Sequence, residues 1–242
     1  MARPTLILLP GLLCDDALWQ PQAARFGRRC DIVVADLTRD DSLRGMAGRV
    51  LAAAPERFAL AGQSMGGYVA LEILREAPGR VSRVALINTS ARPDTPEQIT
   101  RRGELIKLAK TGTFKGVTPR LLPVLVHASR LTDRPLTGTV MAMTERVGQA
   151  AFLRQQQAII ARPDSRPVLP RIGCPALVLC GRQDVLTPPA LSEEMARAIP
   201  DAQLVLIDDC GHLAPIEQPE IVNQALEEWL APELESGAAA RQ

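Results

Sequence analysis

A serine hydroxyl is a weak nucleophile at neutral pH until an imidazole takes its proton, and the imidazole works best when a carboxylate fixes its orientation. The 242-residue chain offers all three groups in settings that suit this chemistry. Gly62-Gln63-Ser64-Met65-Gly66-Gly67 lies between an aliphatic run and a helical pattern. In a G-x-S-x-G turn from strand to helix the glycines lack Cβ, so the two elements close up. The strained turn then lifts the serine Oγ above the carboxyl edge of the sheet. Ser64 is therefore the expected nucleophile. Of the two histidines, His212 sits in Asp209-Cys210-Gly211-His212-Leu213-Ala214-Pro215, where Gly211 permits a sharp turn and Pro215 and Pro219 delay the next helix. It is the expected general base. His127, between Val126 and Ala128, reads as a packed or partly exposed histidine on an apolar helix. Asp184, in Gly181-Arg182-Gln183-Asp184-Val185-Leu186-Thr187-Pro188, stands at a strand's carboxyl end and is the expected orienting carboxylate. Asp208 and Asp209 compete for that role, but turn bonding beside His212 is the simpler use of residues so close to it. Two backbone donors complete the set as an oxyanion hole: the Met65 N–H directly after the serine, and the Leu12 N–H released by Gly11 in Leu9-Pro10-Gly11-Leu12. Leu13 and Leu213, with Leu12 and the Met65 side chain, are expected to line an apolar substrate pocket.

Strands and helices must bring these loops together. Thr5–Leu9, Asp31–Ala35, Arg57–Gly62, Arg83–Asn88, Ala176–Cys180 and Gln203–Ile207 are short aliphatic runs bounded by turn residues, as buried strands are. Helical patterns at Asp15–Phe26, Ser42–Ala54, Met65–Glu76, Pro189–Ala198 and Pro219–Leu230 alternate with them. That alternation predicts an α/β domain with a mostly parallel sheet of about six strands and helices on both faces. From Arg92 to Pro170 no strand is expected. Ile99–Lys110, Pro119–Ser129, Leu136–Val147 and Ala150–Ala161 read as helices, broken by prolines. The division that follows is a core of residues 1–91 and 171–232, a helical cap over 92–170, and a flexible tail over 233–242.

Composition narrows the partners. A net charge of +1 with interspersed acids and bases, and an aromatic content of 3%, disfavour nucleic acid. No stretch approaches a membrane span, and the first apolar run is too short for a signal peptide, so a cytoplasmic protein is expected. The five cysteines are odd in number and lack C-x-x-C spacing, which points to buried thiols rather than to disulfides or zinc. No metal and no organic cofactor is expected. No cluster of Arg and Lys suggests a phosphate or coenzyme A site, although Arg154 and Arg166 could take an acid.

These motifs, in this order, resemble the α/β-hydrolase superfamily, in its branch of small esterases, enol-lactonases and cofactor-free perhydrolases. The resemblance covers Thr5–Asn88 and Cys174–Leu230 and includes Gly211-His212-Leu213-Ala214-Pro215-Ile216-Glu217-Gln218-Pro219. It implies the α/β-hydrolase fold with a cap, and the chain order Ser, Asp, His for the triad. Pro10-Gly11 stands where the family often has His-Gly, and because the first strand lies almost at the N-terminus, a wholly parallel sheet of about six strands is expected in place of the family's usual extra strands before that loop. Leu213 replaces the tryptophan that follows the histidine in carbon–carbon bond hydrolases. Ser64 argues against the epoxide hydrolases and haloalkane dehalogenases, which use aspartate there. The expected function is a carboxylesterase for small to medium acyl esters. The alternatives are hydrolysis of an enol-lactone, a thioester or a diketone C–C bond, and, from another class, a non-catalytic small-ligand receptor. Oligomeric state is not legible.

Overall fold

The computed structural model describes residues 3–112 and 114–239. Six strands, β1 (Thr5–Leu9), β2 (Asp31–Val34), β3 (Phe58–Gln63), β4 (Val81–Ile87), β5 (Ala176–Gly181) and β6 (Gln203–Ile207), pair in the order β2-β1-β3-β4-β5-β6. Every pairing is parallel. The aliphatic runs form such a sheet because both its faces are covered. Ile7 and Leu9 of β1 pack into one core cluster, and Leu6 and Leu8 into the other.

Three helices lie among the first four strands: α1 (Gln20–Phe26), α2 (Leu43–Ala53) and α3 (Met65–Glu76). The helix expected over Asp15–Phe26 opens instead as a 3-10 turn at Asp16–Trp19, and α1 starts only at Gln20, with Pro21 in its first turn. Between β4 and β5 the chain builds α4 (Pro96–Thr111), α5 (Leu122–Leu125) and α6 (Arg134–Ile160), and no strand among the described residues. A capping box of Thr95 and Gln98 starts α4. The helix expected over Pro119–Ser129 shrinks to the four residues of α5, because Pro119 and Pro123 restrict where a helix can run. The two helices expected over Leu136–Val147 and Ala150–Ala161 merge into α6, kinked at Gly148, whose φ of 75° only glycine takes easily.

The chain closes with α7 (Pro189–Ala198), α8 (Ala214–Glu217) and α9 (Pro219–Ala239). The last helix runs past Leu230, its expected end, through much of the segment read as a tail. Leu234 packs on the core cluster there, while residues 240–242 lie outside the described residues. Among the described residues no helix is long and apolar enough to cross a membrane. The sheet order fixes the site's place. From β1 the chain goes out to β2, then returns to β3 on the other side of β1, so the carboxyl ends of β1 and β3 flank a switch point.

Candidate active site

The turn after β3 is built around one strained residue. Ser64 has φ 52° and ψ −115°, and its N–H donates to the Ile87 carbonyl at 3.0 Å. The Thr89 hydroxyl donates to the Ser64 carbonyl at 2.7 Å. A Cβ on Gly62 would stand 2.4 Å from the Gly66 carbonyl oxygen, and one on Gly66 would stand 2.1 Å from that of Leu9. No larger residue fits either place without moving backbone. Holding such a turn costs about 1–3 kcal/mol, which the buried residues 6–9 of β1, 58–63 of β3 and 65–74 of α3 around it supply.

Above this turn the three side chains from three loops meet. Ser64 Oγ lies 2.9 Å from His212 Nε2, and His212 Nδ1 lies 2.8 Å from Asp184 Oδ2. The carboxylate is fully buried and well satisfied. Asn88 Nδ2 donates to Oδ2 at 2.8 Å and the Thr187 hydroxyl at 2.6 Å, while the N–H groups of Leu186 and Thr187 donate to Oδ1 at 2.9 and 3.0 Å. Burial alone would raise the Asp184 pKa. The charge of a protonated His212 and the donors from His212 and Thr187 outweigh burial and hold it at about 2. An ionised carboxylate can only accept, so Nδ1 carries the imidazole proton and Nε2 is left to accept from Ser64. The arrangement is competent to make an alkoxide-like nucleophile and to return the proton to a leaving group.

The histidine loop is clamped from several sides. His212 N–H donates to the Leu125 carbonyl at 2.9 Å, and Gln63 Nε2 donates to the His212 carbonyl at 2.8 Å. Glu217, buried completely, accepts from the N–H groups of Gly211 (3.0 Å), Leu213 (2.9 Å) and His127 (2.7 Å). Burial pushes its carboxyl pKa up despite those donors. In the loop after β1, Leu13 has φ 59°, and its N–H donates to Gln155 Oε1 of α6 at 3.1 Å. Among the described residues neither the Leu12 nor the Met65 N–H is used in a hydrogen bond.

A cavity of about 660 Å³ opens over Ser64 and His212. Leu12, Leu13 and Leu213 line it; Met65 does not, because its side chain is buried in a core cluster. Helices α4, α5 and α6 contribute Leu105, Val124 and Ile159 among others. A family model described as the alpha/beta hydrolase family matches residues 6–225. The chain belongs to the alpha/beta hydrolase family.

As a member of that family the protein is an enzyme, and its relatives include hydrolases of several acyl compounds. A thermophilic esterase from Thermogutta terrifontis is 29% identical, with TM-score 0.83 over 96% of this chain and 92% of its own. The enol-lactonase from Burkholderia xenovorans LB400 is 25% identical, with TM-score 0.86 over 96% and 92%. RutD of Agrobacterium fabrum, provisionally named a carbamate hydrolase, is 28% identical over 95% of this chain and 94% of its own length.

Several expectations for this α/β hydrolase need correction. His127 is not on a helix but caps the turn at Ala128–Arg130, with Nδ1 2.8 Å from the Ser129 hydroxyl. Asp208 is exposed and pairs with Arg182 at 2.6 Å, and Asp209 is exposed too, so neither competes with Asp184. Arg154 donates to the Thr38 carbonyl and Arg166 pairs with Asp164, both away from the cavity. Arg101, Arg102, Lys115 and Arg120 line it instead, a cluster the sequence does not show because it is split between a helix and the segment after it. Cys14 also lines the cavity, and burial pushes its thiol up to about 12. Among the described residues no group of three His, Cys, Asp or Glu is placed to hold a metal. Asn88, Thr187, Gln155 and Glu217 were missed by sequence reasoning. The signal for Asn88 was a polar residue at the carboxyl end of a strand, and for Glu217 its place one turn after the histidine.

Proposed function

We propose that this α/β hydrolase is a serine carboxylesterase acting on small to medium acyl esters. The supporting observation is the hydrogen-bonded row Ser64–His212–Asp184 at the floor of an apolar cavity. In this reading Ser64 attacks the acyl carbonyl while His212 Nε2 takes its proton, and Asp184 stabilises the imidazolium. The Leu12 and Met65 N–H groups receive the tetrahedral oxyanion, each worth about 10²–10³ in rate. The C–O bond then breaks, His212 protonates the departing alcohol, and water releases the acyl group by the same steps. Residues 92–170 act as a cap that shapes the cavity and excludes water from it.

Ser64→Ala, assayed on p-nitrophenyl acetate and butyrate, is expected to lose on the order of 10⁶ in kcat. Turnover near the wild-type rate would remove Ser64 from the chemistry. The likeness to the Burkholderia enol-lactonase favours a second reading, in which the same three side chains open a lactone and the alcohol stays tethered to the product. Matched lactones and open esters in one substrate panel separate the two.

A further inference from the structure

The cavity over Ser64 is apolar within and cationic at its mouth. Gln98, Arg101, Arg102, Leu105 and Leu108 form one stripe along α4, at the three- and four-residue spacing that puts side chains on one face, and all of them line the cavity. The segment after α4 contributes Lys115 and Arg120. Arg101, Lys115 and Arg120 are exposed, and among the described residues none of the three has an ion-pair partner. Many other arginines have found one, such as Arg49 with Asp40, Arg92 with Glu194 and Arg146 with Asp15. Arg102 is held differently, between Asp94 Oδ2 at 2.7 Å and Gln156 Oε1 at 2.9 Å. Asp94, itself buried, also pairs with Arg162 at 2.7 Å, so two guanidiniums share one carboxylate and the group keeps a net positive charge. Among the described residues no Asp or Glu lines the cavity. In a chain whose net charge is only +1, this is a local excess.

We propose that the mouth formed by Arg101, Lys115 and Arg120 binds the anionic end of the substrate. The substrate class is an ester-like compound with an apolar stretch beside the scissile carbonyl and a carboxylate or phosphate group at its far end. This rests on the serine-hydrolase reading of Ser64. Unpaired cations at the lip of a cleft with low-dielectric walls concentrate anions and speed their capture. A guanidinium gives a carboxylate or phosphate two parallel charge-assisted bonds that a neutral chain end cannot accept. The leucines on the same stripe of α4 take the hydrocarbon between the two ends.

The test compares p-nitrophenyl hemiesters of adipate, suberate and sebacate with the neutral hexanoate, octanoate and decanoate esters. At low salt the anionic member of a pair is expected to show kcat/KM about tenfold higher, falling towards parity in about 0.5 M salt. The combined change Arg101→Gln, Lys115→Gln, Arg120→Gln should bring the anionic-to-neutral ratio to about one. Equal kcat/KM within every wild-type pair, or a ratio that the three substitutions leave in place, overturns the proposal. Turnover of neither series would count against the serine-hydrolase reading instead. Calorimetry with octanoate and octanol would then judge the mouth on its own: tighter, salt-sensitive octanoate binding supports it, and equal affinity overturns it. Octyl phosphate in the same titration tells which anionic group is preferred.

Discussion

Asp184 is the side chain at which charge and shape can be separated. Asparagine keeps the outline but has only one oxygen: if that oxygen accepts from the Leu186 and Thr187 N–H groups, its NH₂ faces His212 Nδ1, and the imidazole loses its working tautomer. Asp184→Asn is expected to lower kcat by about 10⁴ with little change in KM, measured on p-nitrophenyl butyrate. The same substitution has a signature in acid. Folding holds the carboxyl at about 2, below its ordinary 3.8. A depressed acid favours the fold at pH above the ordinary value, and that contribution is lost as pH falls towards the folded value. Urea titrations between pH 4 and 2 should therefore show a steeper loss of stability in wild type than in Asp184→Asn. Parallel curves would mean that the carboxylate is not held as the geometry implies.

The elements show what a sequence reader can and cannot see. All six strands were legible, because a buried parallel strand must be a short aliphatic run with turn residues at its ends, as Thr5–Leu9 and Ala176–Gly181 are. The turn at Ser64 was legible because only glycine fits at positions 62 and 66. The helices over 92–170 were legible in place but not in number or extent: four were expected and three formed among the described residues. Pro123 restricts one to four residues, and Gly148 lets two join with a kink. The contacts between elements were hidden altogether. Gln155 of α6 ties Leu13 and Leu37 together, and Glu217 of α8 ties the histidine loop to the backbone of residue 127, through bonds between positions 90 to 142 residues apart. Glu217→Gln tests that scale. One of the N–H groups now facing a carboxylate oxygen would face an amide NH₂ instead, at a cost of about 1–3 kcal/mol. The expected result is a Tm lower by several degrees and a kcat about tenfold lower with KM nearly unchanged, as for a residue that aims His212 without touching substrate. An unchanged kcat in a folded variant would reduce Glu217 to a structural role.

At the scale of the molecule, two hydrophobic clusters sandwich one parallel sheet, and the candidate site stands where β1, β3, β4, β5 and β6 all end. The rigid sheet lets loops that are far apart in sequence hold bonds of 2.8 and 2.9 Å. The helices between β4 and β5 line the cavity above the serine. The most direct measurement of the central claim is titration with a fluorophosphonate, followed by peptide mapping in a mass spectrometer and a parallel ester assay. One adduct per chain is expected, on Ser64, with ester turnover lost in proportion to labelling. Labelling of another residue, or full turnover after complete modification of Ser64, would contradict it.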